Sequence, residues 1–291
     1  MGTVNAFLNG CFLPAENAYL NIEDRGTLFG DGVYEFFRVY RGRIFQAEEH
    51  LSRLRYSAGE LEIKVPYNNV EIVGIIEELI SNTAMENGGI YLQLTRGDGP
   101  RMHYFPENCC PNFFIVAREI LPVPAELYEQ GVDAVLLPDE RWKRCDIKSL
   151  NLLPNVLAKE KAKAYGVYDA ILHSDLGVTE STSSSVLAVK DGVLLTTPPG
   201  PWILPGVTKN TVLKLAGELG IPVGERFMTT EELLSADEVM LTSTRIDILP
   251  VVEIDRKAVG SGRPGPVVFA LRESFARLQN ICASEKKGFC L

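Results

Sequence analysis

An α+β architecture in two domains is what this sequence predicts, and three observations carry the prediction. The chain has 291 residues, 46% hydrophobic and 23% charged, which is the usage of a folded chain of about two domains. Short apolar alternations bounded by Asn-Gly, Arg-Gly and Asp-Gly read as hairpins, and stretches of helical periodicity lie between them. The segment Leu121-Pro122-Val123-Pro124 interrupts both patterns, because each proline removes a backbone donor and restricts the residue before it. The division is therefore a small N-terminal α/β domain over 1–120, a linker at 121–124 and a larger C-terminal domain over 125–291.

Each element has its own local reason. Residues 4–8 and 11–13 flank Asn9-Gly10, a two-residue turn signal, and 33–40 and 43–46 flank Arg41-Gly42 in the same way. Leu51, Leu54, Ala58 and Leu61 recur at helical spacing and predict a helix over 47–61. Ile72, Val73, Ile75, Ile76, Leu79 and Ile80 give 70–82 a broad apolar face of the same period. Residues 90–95 and 113–118 read as strands. Beyond the linker come a strand at 132–137, a helix at 152–165, and a hairpin of 185–189 with 193–196 around Asp191-Gly192. Thr208 is placed to cap a helix carrying Val212, Leu215, Ala216 and Leu219, which Gly220 ends. Thr229 with Glu232 has the spacing of a capping box. Strands at 239–242 and 251–254 and a helix over 266–278 complete the reading.

Charge and composition narrow the function. With 38 acidic and 29 basic side chains the formal net charge is −9, which argues against a nucleic-acid partner that would need a basic footprint. Apolar runs are broken well short of the ~18 residues of a membrane span, and no membrane partner is expected. The N-terminus lacks the basic and apolar regions of a secretory signal, and Ala6 stands where a myristoylation signal has Ser or Thr. The six cysteines form no C-x-x-C pair and the three histidines are far apart, so no metal site is expected. Reduced thiols and a cytoplasmic location fit that pattern.

The residues that carry chemistry lie in four stretches. Lys148, in Cys145-Asp146-Ile147-Lys148-Ser149-Leu150, sits among apolar residues ahead of a helix. Apolar surroundings disfavour an ammonium, and a neutral amine attacks a carbonyl to form a Schiff base. On its own this segment also suits a surface lysine whose stem lies along a loop. Glu180 stands beside five hydroxyl side chains, Ser181 to Ser185. A pyridine ring acting as an electron sink needs such a carboxylate at its nitrogen, and a phosphate needs many short donors. Leu204-Pro205-Gly206-Val207-Thr208 leads into a helix N-terminus, where free backbone N–H groups favour a phosphate. Leu241-Thr242-Ser243-Thr244 adds hydroxyls at a strand end. Together they supply an amine, a pyridinium partner and a phosphate cradle.

With these motifs in view, the chain resembles the class IV pyridoxal-phosphate aminotransferases of the branched-chain and D-amino-acid type, most closely the D-amino-acid aminotransferases. The resemblance runs from about Leu20 to Gly265 through E-D-R-G-T-L-F-G-D-G-V-Y-E at 23–35, E-H-L-S-R-L at 49–54 and T-R-G-D-G-P-R-M-H at 95–103. It continues through C-D-I-K-S-L-N-L-L at 145–153, V-T-E at 178–180, I-L-P-G-V-T at 203–208 and L-T-S-T at 241–244. It implies a two-domain fold-type IV enzyme whose C-terminal domain binds pyridoxal 5'-phosphate, working as a homodimer with its active site at the domain interface. Lys148 matches the lysine that holds the cofactor and moves the proton at the substrate Cα. Glu180 matches the carboxylate facing the pyridine nitrogen. Arg53 matches the arginine that pairs with the phosphate, with His50 three residues earlier on the same helix face to support it. Val207, Thr208, Ser243 and Thr244 match the remaining phosphate donors. Arg141 matches a side chain near the phenolic oxygen, and Leu204 one packed on the ring.

The resemblance also implies a trap for the substrate α-carboxylate, formed by Tyr34 with Arg101 and His103 of an R-x-H element. A guanidinium clamps a carboxylate through two parallel N–H bonds. The expected reaction is exchange between a D-amino acid, such as D-alanine or D-glutamate, and a 2-oxo acid. Branched-chain L-amino-acid aminotransferases and aminodeoxychorismate lyases share the fold, and the trap residues argue against both. Two departures stand out. After Glu180, Ser181 and Ser185 stand where the family usually has Gly and Asn, and Arg245 follows L-T-S-T, where smaller residues are common. Directed inward, Arg245 would favour acidic substrates.

Overall fold

The computed structural model describes residues 3–284, and the chain divides into two compact units. Residues up to Leu121, together with 147–151 and the chain from Gln279, form the first; Pro122–Asp146 and Leu152–Leu278 form the second. The chain therefore returns to the first unit twice, once with the segment carrying Lys148 and once in the last helix.

The first unit contains β1 (Ala6–Leu8), β2 (Cys11–Leu13), α1 (Arg25–Phe29), β3 (Gly32–Tyr40), β4 (Arg43–Ile44), α2 (Ala47–Glu60), α3 (Asn69–Thr83), β5 (Gly88–Thr95) and β6 (Asn112–Glu119). The strands form one antiparallel sheet in the order β2-β1-β6-β5-β3-β4. Period-two alternation sends Val33, Phe37 and Val39, Ile90, Leu92 and Leu94, and Phe113 and Ile115 into one core. Leu51 and Leu54 of α2 and Ile72, Ile76 and Leu79 of α3 complete that core, each fully buried. Glu35 stands in the same row of β3 as Val33 and Phe37 and is equally buried. The returning segment adds its backbone to β3. Ser149 bridges Val33, the Tyr34 N–H donates to the Lys148 carbonyl at 3.0 Å, and the Lys148 N–H donates to Ser57 Oγ at 3.0 Å. Ile147 joins the core, so Lys148 is fixed on both sides.

The second unit contains α4 (Ala125–Gln130), β7 (Val132–Pro138), α5 (Leu153–Ala164), β8 (Asp169–Ser174), β9 (Gly177–Ser181), β10 (Ser185–Lys190), β11 (Val193–Thr196), α6 (Val207–Glu218), β12 (Val223–Glu225), α7 (Thr230–Leu234), β13 (Glu238–Ser243), β14 (Asp247–Ile254) and β15 (Lys257–Ala258). A last helix, α8 (Pro266–Ser284), follows. The strand path β10-β13-β14-β7-β8-β9 closes on itself because Glu180 of β9 pairs with Ser185 of β10. This barrel is filled by alternate residues such as Ala134, Ile171, Val178, Val186, Val239, Leu241 and Leu249. β11 and β12 extend the sheet from β10, and β15 pairs with β14.

Two expectations need correction. Strand β9 went unread in the sequence because Thr179, Glu180 and Ser181 are polar residues buried inside a barrel wall, and with it its partner β8, whose Ala170, Ile171 and Leu172 make only a short apolar run. Thr208 does not cap α6: the helix begins at Val207, Gly206 is its N-cap, and no side chain caps it. The capping box of Thr229 with Glu232 is present. Cys11, Cys109, Cys110 and Cys145 are free thiols, whereas the Cys282 side chain and Cys290 lie outside the described residues. No described helix is long and apolar enough to cross a membrane.

Candidate active site

In the first unit the expected residues form three groups. The Lys148 ammonium lies 4.2 Å from the centroid of the Tyr34 ring, whose other neighbour is the Tyr91 ring, stacked at 5.7 Å. Tyr91 donates to Gln93 Oε1 at 2.7 Å, and burial, with Tyr34 beside it, pushes its phenol up to about 12. Arg101 and His103 lie instead on the exposed loop after β5. The guanidinium and the imidazole sit 5.5 and 5.7 Å from the Phe29 ring.

Behind β3, Arg53 and His50 converge on Glu35. Arg53 donates through Nε to Glu35 Oε1 at 2.7 Å and through Nη2 to Oε2 at 2.9 Å, a fork on a carboxylate. His50 Nδ1 is 2.9 Å from Oε2. A carboxylate only accepts, so Nδ1 carries the proton and donates. Burial alone would raise the Glu35 carboxyl, but Arg53 and His50 outweigh it and hold the group well below the usual range. Burial holds His50 below its ordinary value, against the pull of Glu35, and keeps the ring neutral. The signal for Glu35 was present but unread: an acidic residue in a row of apolar ones on β3 must be paired.

In the second unit Arg141 is the hub. It donates to Glu180 and to Asp139, the latter at 2.6 and 2.9 Å, and its Nη2 reaches the Trp202 carbonyl at 3.1 Å. The Leu204 N–H approaches both Glu180 oxygens at 3.3 Å. Burial raises the Glu180 carboxyl, and Arg141 and the Leu204 N–H offset this only in part. Burial also pushes the Cys145 thiol up to about 12, and its Sγ donates to the Trp142 carbonyl, so it is a closed thiol and not a nucleophile.

A phosphate group fits the start of α6. Gly206 offers no capping oxygen, which leaves the first-turn N–H groups of this 12-residue helix without a side-chain acceptor. A Cβ at position 206 would lie 2.7 Å from Ser185 Oγ and fill the approach. Thr242 Oγ1, opposite Ser185 in the sheet, is buried without a hydrogen-bond partner among the described residues. Val207 and Thr208 are buried, whereas Ser243 and Thr244 are half-buried at the turn into β14. In the run after Glu180, Thr182 Oγ1 donates to Asp169 at 2.6 Å, and Ser181 Oγ accepts from the Ser184 N–H. Arg245 is exposed.

Comparison with known proteins places the chain in a family. The profile of the amino-transferase class IV family matches residues 32–254. The chain is 42% identical to a D-alanine aminotransferase of Staphylococcus haemolyticus, over 92% of this chain and 95% of that one. It is 41% identical to a D-alanine aminotransferase of Bacillus licheniformis, over 97% and 98%. Among solved structures, the branched-chain amino acid aminotransferase of Escherichia coli matches with a TM-score of 0.88 at 28% identity, over 99% and 98% of the two chains. The branched-chain amino acid aminotransferase of Thermobaculum terrenum, solved in its PLP-form, matches with a TM-score of 0.84 at 26% identity, over 96% and 94%.

Proposed function

Because the chain belongs to the class IV aminotransferase family, we propose that it exchanges an amino group between a D-amino acid, such as D-alanine or D-glutamate, and a 2-oxo acid such as 2-oxoglutarate. The observation that carries this reading is the 42% identity to a D-alanine aminotransferase across nine tenths of both chains. Enzymes of this family use pyridoxal 5'-phosphate, and the uncapped helix start, the Gly206 approach and the unpartnered Thr242 hydroxyl suit its phosphate.

When bound, the cofactor supplies an electron sink that stabilises negative charge at the substrate Cα. Lys148 holds the cofactor through its amine and carries the proton at Cα. Glu180 holds a proton at the ring nitrogen, and a carboxyl raised by burial is a strong base for that purpose. Arg53, oriented by Glu35 and His50, binds the phosphate together with the Val207 and Thr208 amides and the Thr208, Ser243 and Thr244 hydroxyls. Arg141 serves the phenolic oxygen, and Leu204 packs on the ring. Tyr34, Arg101 and His103 clamp the α-carboxylate on one side, which decides which enantiomer turns its hydrogen toward Lys148. The same reading makes the enzyme a cytoplasmic homodimer, and the exposed Met102, Tyr104 and Phe105 are apolar surface that a second copy would cover.

A branched-chain L-amino-acid aminotransferase is the second reading, favoured by the solved structures that match. Keto-acid release from D-alanine, L-alanine and L-leucine, each with 2-oxoglutarate, separates the two. Faster turnover of D-alanine is expected; preference for L-leucine would replace the first reading by the second.

A further inference from the structure

We propose that Arg25 is a positioning residue for substrate recognition, which sets the loop carrying Arg101 and His103 through Asp31 and the Met102 carbonyl. This rests on the function proposed above. Between β5 and β6 the chain doubles back: Gly97 has a φ of 102°, and a Cβ there would collide with the Cys110 carbonyl. The tip of the loop is exposed at Arg101, Met102 and His103, yet its hold on the body is buried.

Arg25 is 3% exposed and donates through Nε to Asp31 Oδ2 at 2.8 Å. Its Nη1 donates to the Met102 carbonyl, also at 2.8 Å, between the two trap residues. The guanidinium lies 4.7 Å from the Phe29 ring, the same ring that Arg101 and His103 flank. Arg96 makes the second arm. It forks onto Asp31 at 2.8 and 3.1 Å and lies 3.5 Å from the Phe105 ring. Asp31 in turn precedes Tyr34 by three residues and accepts the Arg96 N–H on its backbone carbonyl at 3.0 Å. One carboxylate thus links the loop that bears two members of the trap to the strand that bears the third. Two arginines share the Asp31 carboxylate, an arrangement that ties both arms to one anchor. What it delivers is a fixed carbonyl between Arg101 and His103.

The test uses the cofactor-loaded enzyme with Arg25→Lys and Arg25→Gln, each also combined with Arg101→Ala. Lysine keeps the charge beside Asp31 but lacks the fork that reaches Asp31 and Met102 together. KM for D-alanine should rise roughly tenfold, with kcat nearly unchanged, the signature of lost binding of the ground and transition states alike. The visible absorbance of bound cofactor should not move. In the Arg101→Ala background the Arg25 change should add clearly less to KM than it does alone, because only His103 of the loop is then left for it to position. An unchanged KM in folded Arg25→Lys, or KM effects of Arg25 and Arg101 that simply add, would overturn the proposal. Should Arg25→Gln fail to fold, Arg25→Lys decides. Should Arg101→Ala leave KM for D-alanine unaltered, the carboxylate trap itself fails and this inference with it. A raised KM in Arg101→Ala with none in Arg25→Lys overturns this inference only.

Discussion

Glu35 in the first unit and Glu180 in the second are both buried carboxylates facing an arginine, yet Glu35 is held below the usual carboxylate range and Glu180 above it. Burial penalises both charges, so the difference comes from what each arginine must also serve. Arg53 gives Glu35 a fork, and His50 adds a third donor. Arg141 divides its donors between Glu180 and Asp139, and the Asp139 charge itself raises Glu180. Glu35 is therefore a satisfied group whose work is to aim Arg53. Glu180 is a carboxylate still short of positive charge, which is the property a partner for a protonated pyridine nitrogen requires.

The largest effect expected from breaking this contrast is on stability. Glu35→Ala strands Arg53 and His50 in the interior, and loss of one partner of a buried pair costs ~3–5 kcal/mol. Urea unfolding of the cofactor-loaded protein measures it, and weaker cofactor retention should accompany the loss. A stability change below ~1 kcal/mol would show that Arg53 does not depend on Glu35.

Glu180→Gln should do the reverse. We expect kcat to fall by ~10²-fold or more, comparable with removing one electrostatic stabiliser, while the unfolding midpoint holds or rises. A kcat within a factor of about two of the original would remove Glu180 from the role of ring-nitrogen partner.

The smallest effect is the pH dependence, and its sign separates the two carboxylates. The folded pKa of Glu35 is lowered, so its stabilisation is complete above the unfolded value of 4.5 and drains away as the pH falls below it. Glu180 is raised, so its charge costs stability near neutrality, and that cost vanishes on acidification. Each contributes at most ~1.4 kcal/mol per pH unit. Acid unfolding should therefore become shallower in Glu35→Gln and not in Glu180→Gln; equal slopes would mean the two sites titrate alike.

The sequence by itself determined most of the local structure and much of the family. The apolar periods that predict α2, α3 and the β3–β4 and β10–β11 hairpins depend only on neighbours a few residues away, and the observed boundaries differ from the expected ones by a residue or two. Ordered motifs around Lys148, Glu180 and Gly206 pointed to a class IV aminotransferase because that chemistry needs an amine, a carboxylate and a phosphate cradle. Tertiary structure decided the rest. Only in the fold does the Lys148 segment leave its sequence neighbours and dock on β3, because backbone pairing with Val33 and Tyr34 is nonlocal. Only there does Glu35 become the carboxylate that aims Arg53, and only there does Asp139 compete with Glu180 for Arg141. Charges interact through space, and their strength depends on burial and on every other charge nearby, none of which spacing along a chain records.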